Sequence, residues 1–337
     1  MENVQPLCNA PADEPGASGL HAPRRILVVC RDRRVQRQIQ RILGATLHTI
    51  DVAEGVLEGE QLCRLHVPAL LVIDQELLQA AEGVALLTDA DRLGVGACLV
   101  LASPGSLPDL PRLLRAGAIT NLLGRAMPTL AEELTVTALK VLRHDIFGLE
   151  KYLTWGVPVV SRSLDCSDQR ADLVDELSAT VKRLGIGSRA AQMAALVADE
   201  LMTNAIFNAP VDAAGTATRR DERRDTVRPL AGREQVWLRY ACDARYLAIE
   251  VTDAWGSLSR STILACLAKG VSRDVGKVIM QGGGAGIGVG LVYDSCHHLV
   301  FNLHPRERTQ VIGLFDLRVS PQELGQTPSS FNIFVER

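Results

Sequence analysis

The sequence predicts an α/β chain of two units in series: a doubly wound parallel sheet, then a mixed sheet with helices on one face. Three observations carry this. Over residues 24–128, short unbroken apolar runs alternate with helix-period segments, as for strands covered on both faces and joined by crossover helices. From Val157 the order changes to a strand, two helices and then strand pairs joined by tight turns. The 337 residues are 47% hydrophobic, enough for two cores at about 150 residues each.

Residues 1–23 are rich in Pro, Ala, Gly and Asx without periodicity and read as a flexible tail. Arg25–Cys30 is the first apolar run, and Val35–Leu43 follows with helical spacing. Ala69–Ile73 is a buried strand ending at Asp74, and Ala97–Leu101 and Ala118–Leu123 are further strands. Leu134, Ala138, Leu142, Ile146, Leu149 and Leu153 recur in steps of three and four, predicting one amphipathic helix from Thr129 to about Leu153 within a linker at 129–156. That stripe either packs on its own unit or pairs with its copy in a homodimer. The second unit, 157–320, places a strand at Val159–Leu164, helices at Leu173–Leu184 and Arg189–Asn208, a hairpin at Val236–Tyr240 and Leu247–Asp253, and strands at Leu299–Leu303 and Val311–Val319. Residues 321–337 remain as a C-terminal extension. Between Val211 and Glu234, Arg219, Arg220, Asp221, Glu222, Arg223, Arg224 and Asp225 mark either a solvated insertion or a basic cluster for an anionic partner.

Composition excludes several classes. Lys and Arg number 36 against 39 Asp and Glu, for a net charge of −3, and aromatic residues make up only 4%. Bulk attraction to nucleic acid and base stacking are both disfavoured, so no nucleic-acid partner is expected. The eight cysteines form no CxxC pair, and several sit inside apolar runs, as buried thiols do in a reducing compartment. No secretory leader is visible, and no apolar stretch reaches the ~18–20 residues of a membrane helix. The expected setting is cytoplasmic, with no membrane contact.

Three segments of the second unit carry chemistry. Glu200, Asn204 and Asn208 recur every four residues, forming one polar stripe on an otherwise apolar helix. Ala248–Asp253 is a strand running into the turn Ala254-Trp255-Gly256. Gln281–Leu291 holds six glycines in nine residues before a helical stretch through His298, which suits backbone N–H groups aimed at a phosphate. Two common phosphate loops are ruled out: no GxGxxG fits these glycines, and Gly276-Lys277 is followed by Val278 rather than Ser or Thr.

Taken in order, these segments resemble the GHKL (Bergerat-fold) ATPases, most closely the anti-sigma-factor serine kinases. Glu200-xxx-Asn204-Ala-Ile is similar to the family's N-box, Asp253-xx-Gly256 to its first glycine box, and Gly286-Ile-Gly288 to its second. Arg183-Leu-Gly-Ile186 precedes the Glu200 helix as in those kinases. The resemblance implies an α/β sandwich that binds ATP with Mg²⁺. In it Asp253 would accept the adenine amino group, Asn204 would ligate Mg²⁺, and Asn208 would face the nucleotide. Gly284, Gly286 and Gly288 would supply N–H groups to the phosphates, and Glu200 would be the general base. Gly270–Gly283, with Arg273 and Lys277, would form the lid. Trp255 stands where the family has a glycine.

The implied activity is phosphorylation of Ser or Thr on a regulatory partner: an anti-anti-sigma-like protein, a sigma factor or a response regulator. Two alternatives are a catalytically inactive nucleotide-binding module that sequesters a partner, and an atypical histidine kinase. Residues 24–128 resemble a response-regulator receiver, with Asp74 in the phospho-acceptor position. Cys30-Arg31 replaces the expected acidic pair, Ala102 the hydroxyl residue and Arg125 the lysine. Such depletion favours a pseudo-receiver used for docking. The histidine-kinase reading would use His144, but only about 60 residues separate it from the N-box, too few for a two-helix dimerisation unit besides the strand and helices predicted there. Cys296-His297-His298 with His304 is a weak zinc pattern, because adjacent residues on a helix point apart.

Overall fold

The computed structural model describes residues 23–102, 110–117, 119–124, 130–271, 287–319 and 329–336. The first unit is β1(Arg25–Val29), α1(Arg33–Gly44), β2(Thr49–Ala53), α2(Val56–His66), β3(Leu70–Asp74), α3(Ala81–Asp89), β4(Ala97–Leu101), α4(Leu110–Arg115), β5(Asn121–Leu123) and α5(Leu130–Arg143). Its strands are parallel in the order β2-β1-β3-β4-β5, a receiver-like doubly wound arrangement. The apolar runs form the central strands because both faces are covered, whereas β2, a half-exposed edge strand, escaped the sequence reading.

The second unit is β6(Val160–Leu164), α6(Gln169–Arg183), α7(Ser188–Thr203), β7(Val236–Cys242), β8(Tyr246–Asp253), α8(Arg260–Val271), α9(Ile287–Ser295), β9(His298–His304), β10(Arg308–Asp316) and β11(Ser330–Val335). Helix α8, absent from the sequence reading, starts where the Ser259 hydroxyl accepts the Thr262 N–H, and it buries Ile263, Leu264, Leu267 and Ala268. The predicted helical stretch through His298 is too long: α9 ends at Ser295, and His298 opens β9.

The two units share one mixed sheet of eleven strands, ordered β2-β1-β3-β4-β5-β11-β9-β10-β8-β7-β6. The join is β11, drawn from the stretch read as an extension. It runs antiparallel to β5 through Phe331↔Leu122 and Asn332↔Asn121, and parallel to β9 from Ser330↔His298 to Val335↔Leu303. One apolar core covers a single face across both units, from Leu27 and Leu71 to Val251 and Val311, under α2–α4 and α6–α9.

The opposite face shows why the predicted linker helix breaks. Its apolar stripe divides between two destinations. Leu134, Ala138 and Leu142 pack under β1, β3 and β4 with α1, whereas Ile146 and Leu149 pack on β8, β9 and β10 beside Tyr152. No straight helix reaches both. Helix α5 ends at Arg143, His144 adopts φ 56°, and the chain crosses the second unit as a strap with one 3₁₀ turn at Leu149–Tyr152. The stripe that was a candidate for pairing in a homodimer is therefore spent within the chain.

Polar groups buried at the join are matched to one another. Asn332 donates to Asn121 Oδ1 at 2.9 Å, its own Oδ1 lies 2.5 Å from His298 Nε2, and Asn121 donates to the Cys98 carbonyl. Glu133 of α5 accepts from Ser330 and Tyr246. Lys140, 2% exposed, donates to Tyr152 Oη and Asn302 Oδ1 at 2.8 Å each, and burial drives its pKa well down. Asn332→Ala strands two buried partners and is expected to cost about 2 kcal/mol or more. All three tryptophans lie in or beside the second unit, whereas circular dichroism sees both units. Wild-type denaturation followed by the two signals should coincide, and deletion of 329–337 should separate them.

Candidate functional site

The polar stripe lies where the last turn of α7 loosens. Residues Asn204–Asn208 form a π-helical turn, and Ala209 N–H donates to the Asn204 carbonyl at 2.9 Å. Such turns are frequent at functional sites. The stripe is hydrogen-bonded along its length: Asn204 Nδ2 donates to Glu200 Oε1 at 3.1 Å, and Asn208 Nδ2 donates to Asn204 Oδ1 at 2.5 Å. Burial pushes the Glu200 carboxyl up. The Asn204 amide opposes this, Asp199 adds to it, and Arg224 and Arg170 pull it back.

Gly288, at the start of α9, meets this stripe. A Cβ there would fall 1.6 Å from Glu200 Oε1, so a side chain at this position would push the Glu200 carboxylate out of its present place. Gly270 of α8 and Gly290 of α9 also cross closely, a Cβ on Gly270 falling 2.9 Å from the Gly290 Cα. Gly284, Gly286, Arg273 and Lys277 lie outside the described residues.

Asp253 ends β8 on the sheet face that carries the helices. It is 6% exposed, and burial lifts its pKa to about 6, against N–H bonds from Trp255 and Gly256. Trp255 N–H donates to Asp253 Oδ1 at 2.8 Å. Gly256 holds φ 56° with the next hairpin directly against it: a Cβ would come within 2.3 Å of the His304 carbonyl. Ser257 Oγ donates to the Ala209 carbonyl at 2.7 Å, tying this turn to the end of the π-helical turn. The structure thus brings Glu200, Asn204 and Asn208, the Asp253–Gly256 turn and Gly288 into one constellation.

Three contributors escaped the sequence reading, and a fourth, Arg224, was named there only within the basic cluster. Arg233 donates to the carbonyls of Ala254, Trp255 and Arg306 at 2.8, 3.2 and 2.6 Å, and its guanidinium lies 4.9 Å from the Trp255 ring. It clamps the turn in which tryptophan replaces the expected glycine. Arg224 reaches Asn208 from the insertion. Thr309 is the cross-strand partner of Asp253. Ser257 supplies the tie to Ala209. The arginines sit in a run of mixed charge that nothing in the sequence separates from ordinary solvated residues.

For the implied Mg²⁺, Asn204 Oδ1 and the Glu200 carboxylate are hard oxygen donors of the right kind. They adjoin one another through the Asn204–Glu200 hydrogen bond.

Asp74 is not part of this constellation; β3 stands six strand positions from β8. Its Oδ1 accepts the Glu76 N–H, and Cys30 Sγ lies 3.7 Å from Oδ2 with the thiol pKa pushed up to about 12, first by burial and then by Asp74. Asp32 caps α1 through the Arg34 and Val35 N–H groups. Among the described residues no group of three His, Cys, Asp or Glu side chains is placed to hold a metal ion. His144 Nε2 lies 2.5 Å from Arg24 Nη1. His297, predicted on a helix with His298, instead immediately precedes β9, which His298 opens, and its Nδ1 accepts the Asp316 N–H. No helix among the described residues is long and apolar enough to cross a membrane.

No protein-family model matches this chain, and no curated protein matches it. Solved structures similar to part of it include a signal receiver domain from Vibrio parahaemolyticus, with 17% identity, 36% of this chain and 92% of that one covered, and TM-score 0.32. A response regulator receiver domain protein from Clostridium thermocellum gives 17% identity, 36% and 95% coverage, and TM-score 0.31. A CheY-like receiver domain protein from Methanospirillum hungatei gives 22%, 36% and 99%, and 0.30.

The raised pKa of Asp253 sets a pH signature. Unfolded, this carboxyl ionises near 3.8; folded, near 6. The folded chain holds the proton longer, so this group's stabilisation is full below about pH 4 and lost as pH rises through 6. Asp253→Asn removes that loss. Its stability relative to wild type should improve by up to about 3 kcal/mol between pH 4 and pH 7 in chemical denaturation.

Proposed function

We propose that the second unit binds ATP in the manner of a GHKL ATPase and that the chain is a signalling protein phosphorylating Ser or Thr on a regulatory partner. The observation that supports this best is the convergence of three segments far apart in sequence. Glu200 abuts Gly288, and Ala209 is tied to Ser257 beside the buried Asp253.

On this reading each side chain has a task set by its surroundings. Asp253, held in a dry turn by backbone N–H groups, accepts the adenine amino group, which returns a donor to a carboxylate that burial has deprived of water. The N–H groups at the start of α9 meet phosphate oxygens. Asn204 and Asn208 orient the triphosphate, and Glu200, its pKa raised by desolvation, takes the proton of the attacking hydroxyl. Bound Mg²⁺, with Asn204 as its protein ligand, would neutralise phosphate charge. The first unit, its metal-binding carboxylates depleted, serves as a docking platform.

The non-catalytic alternative draws on the Arg233–Trp255 stack, which walls the turn where the resembled family has open glycine backbone. In that case the same constellation holds a partner without turnover.

Calorimetric titration with Mg-ATP tests the reading. Wild type should bind at micromolar levels, and Asp253→Asn should lose at least tenfold. Glu200→Ala should keep binding and abolish transfer to the partner. Absence of binding to wild type would overturn the ATPase reading, and unchanged transfer in Glu200→Ala would remove the base.

A further inference from the structure

The arginines of the insertion sort into two groups. Three are neutralised by carboxylates of the insertion itself: Arg219 by Glu234, Arg223 by Asp225 at 2.6 Å, and Arg228 by Glu222 at 2.6 Å. Arg233 is spent on carbonyls of the Asp253 turn and its neighbouring hairpin. Arg220 and Arg224 have no carboxylate within ion-pair distance among the described residues, and Arg224 reaches the constellation at Asn208. Burial holds the Cys266 thiol of α8 above its ordinary pKa, with Lys269 and then Arg220 pulling it back.

Arg224 donates to Asn208 Oδ1 at 3.2 Å, and its guanidinium lies 4.9 Å from the centre of the Phe207 ring. It is therefore the outer end of a continuous chain of hydrogen bonds: Arg224 to Asn208, Asn208 to Asn204, Asn204 to Glu200. A guanidinium carries five donors in a fixed fork, and this one has a single hydrogen-bond acceptor among the described residues. It is stacked on an aromatic ring, remains exposed, and stands at the solvent end of the stripe that ends in the candidate base.

We propose that Arg224 binds the polyphosphate of the nucleotide, so that the insertion at 211–234 completes the site in cis with a cation of its own. This rests on the ATP-binding reading above. The exposed donors engage phosphate oxygens bidentately, while Asn208 and Phe207 fix the direction of the fork. The solvated-loop and anionic-partner readings of the basic cluster thereby resolve by residue: Arg219, Arg223 and Arg228 are structural, and Arg224 is the phosphate contact.

The test is calorimetric titration of wild type, Arg224→Ala and Arg224→Lys with ATP and with AMP, each in the presence of Mg²⁺. Loss of a charged hydrogen-bonding partner should weaken ATP about ten- to hundred-fold in Arg224→Ala. AMP, lacking the outer phosphates, should change less than about threefold, and Arg224→Lys should recover part of the ATP affinity. A role confined to packing on Phe207 would lower both nucleotides together and would overturn the proposal, as would ATP binding unchanged in Arg224→Ala. If wild type binds neither nucleotide, the ATP-binding reading fails and this inference falls with it. If wild type binds ATP and Arg224→Ala matches it, only the inference fails.

Discussion

One strand determines how the rest of this molecule is arranged. Each unit, closed on itself, would leave a sheet edge open: β5 on one side, β9 on the other. Open edges carry unpaired N–H and C=O groups and invite other chains. Here β11 fills both at once, antiparallel to β5 and parallel to β9. Because it is central, its polar side chains are buried and need partners. Asn332 is satisfied between Asn121 of one unit and His298 of the other, and Ser330 is satisfied by Glu133. Such a network is demanding, since any incomplete part costs more than an apolar residue would. The relative placement of the units is thus specified by hydrogen bonds and not only by burial.

The candidate site depends on that arrangement through its floor. The strap after α5 covers the opposite face of β8, β9 and β10, so Asp253 and Thr309 end strands that are backed on one side and faced by helices on the other. The end of β8 is therefore fixed within the sheet, beside a π-helical turn and the N-terminus of α9.

The readable and unreadable parts of the sequence divide along physical lines. Buried strands were legible because a short, continuous apolar run must be covered on both faces. The Glu200, Asn204 and Asn208 stripe was legible because two asparagines on an apolar helix need polar company. Gly256 was legible as a turn glycine, and the His304 carbonyl directly against it gives the steric reason. Strand β2 was missed because half-exposure erases its apolar run. The linker was misjudged because periodicity records that a stripe is buried, not that two halves of it are buried against different neighbours. His298 and Asn332 looked ordinary because a matched polar network has no local signature. Arg224 and Arg233 were hidden in a charged insertion, where only three-dimensional pairing separates structural charges from those turned toward the site.

On the proposed function, α7 with its π-helical turn, the Asp253 turn and the start of α9 form a single nucleotide pocket. Amide hydrogen exchange with and without Mg-ATP measures this directly. Protection should rise together at residues 200–209, 253–258 and 287–291, and stay unchanged around Asp74. Unchanged exchange in all three segments at saturating nucleotide, or protection centred on the first unit, would rule out that pocket.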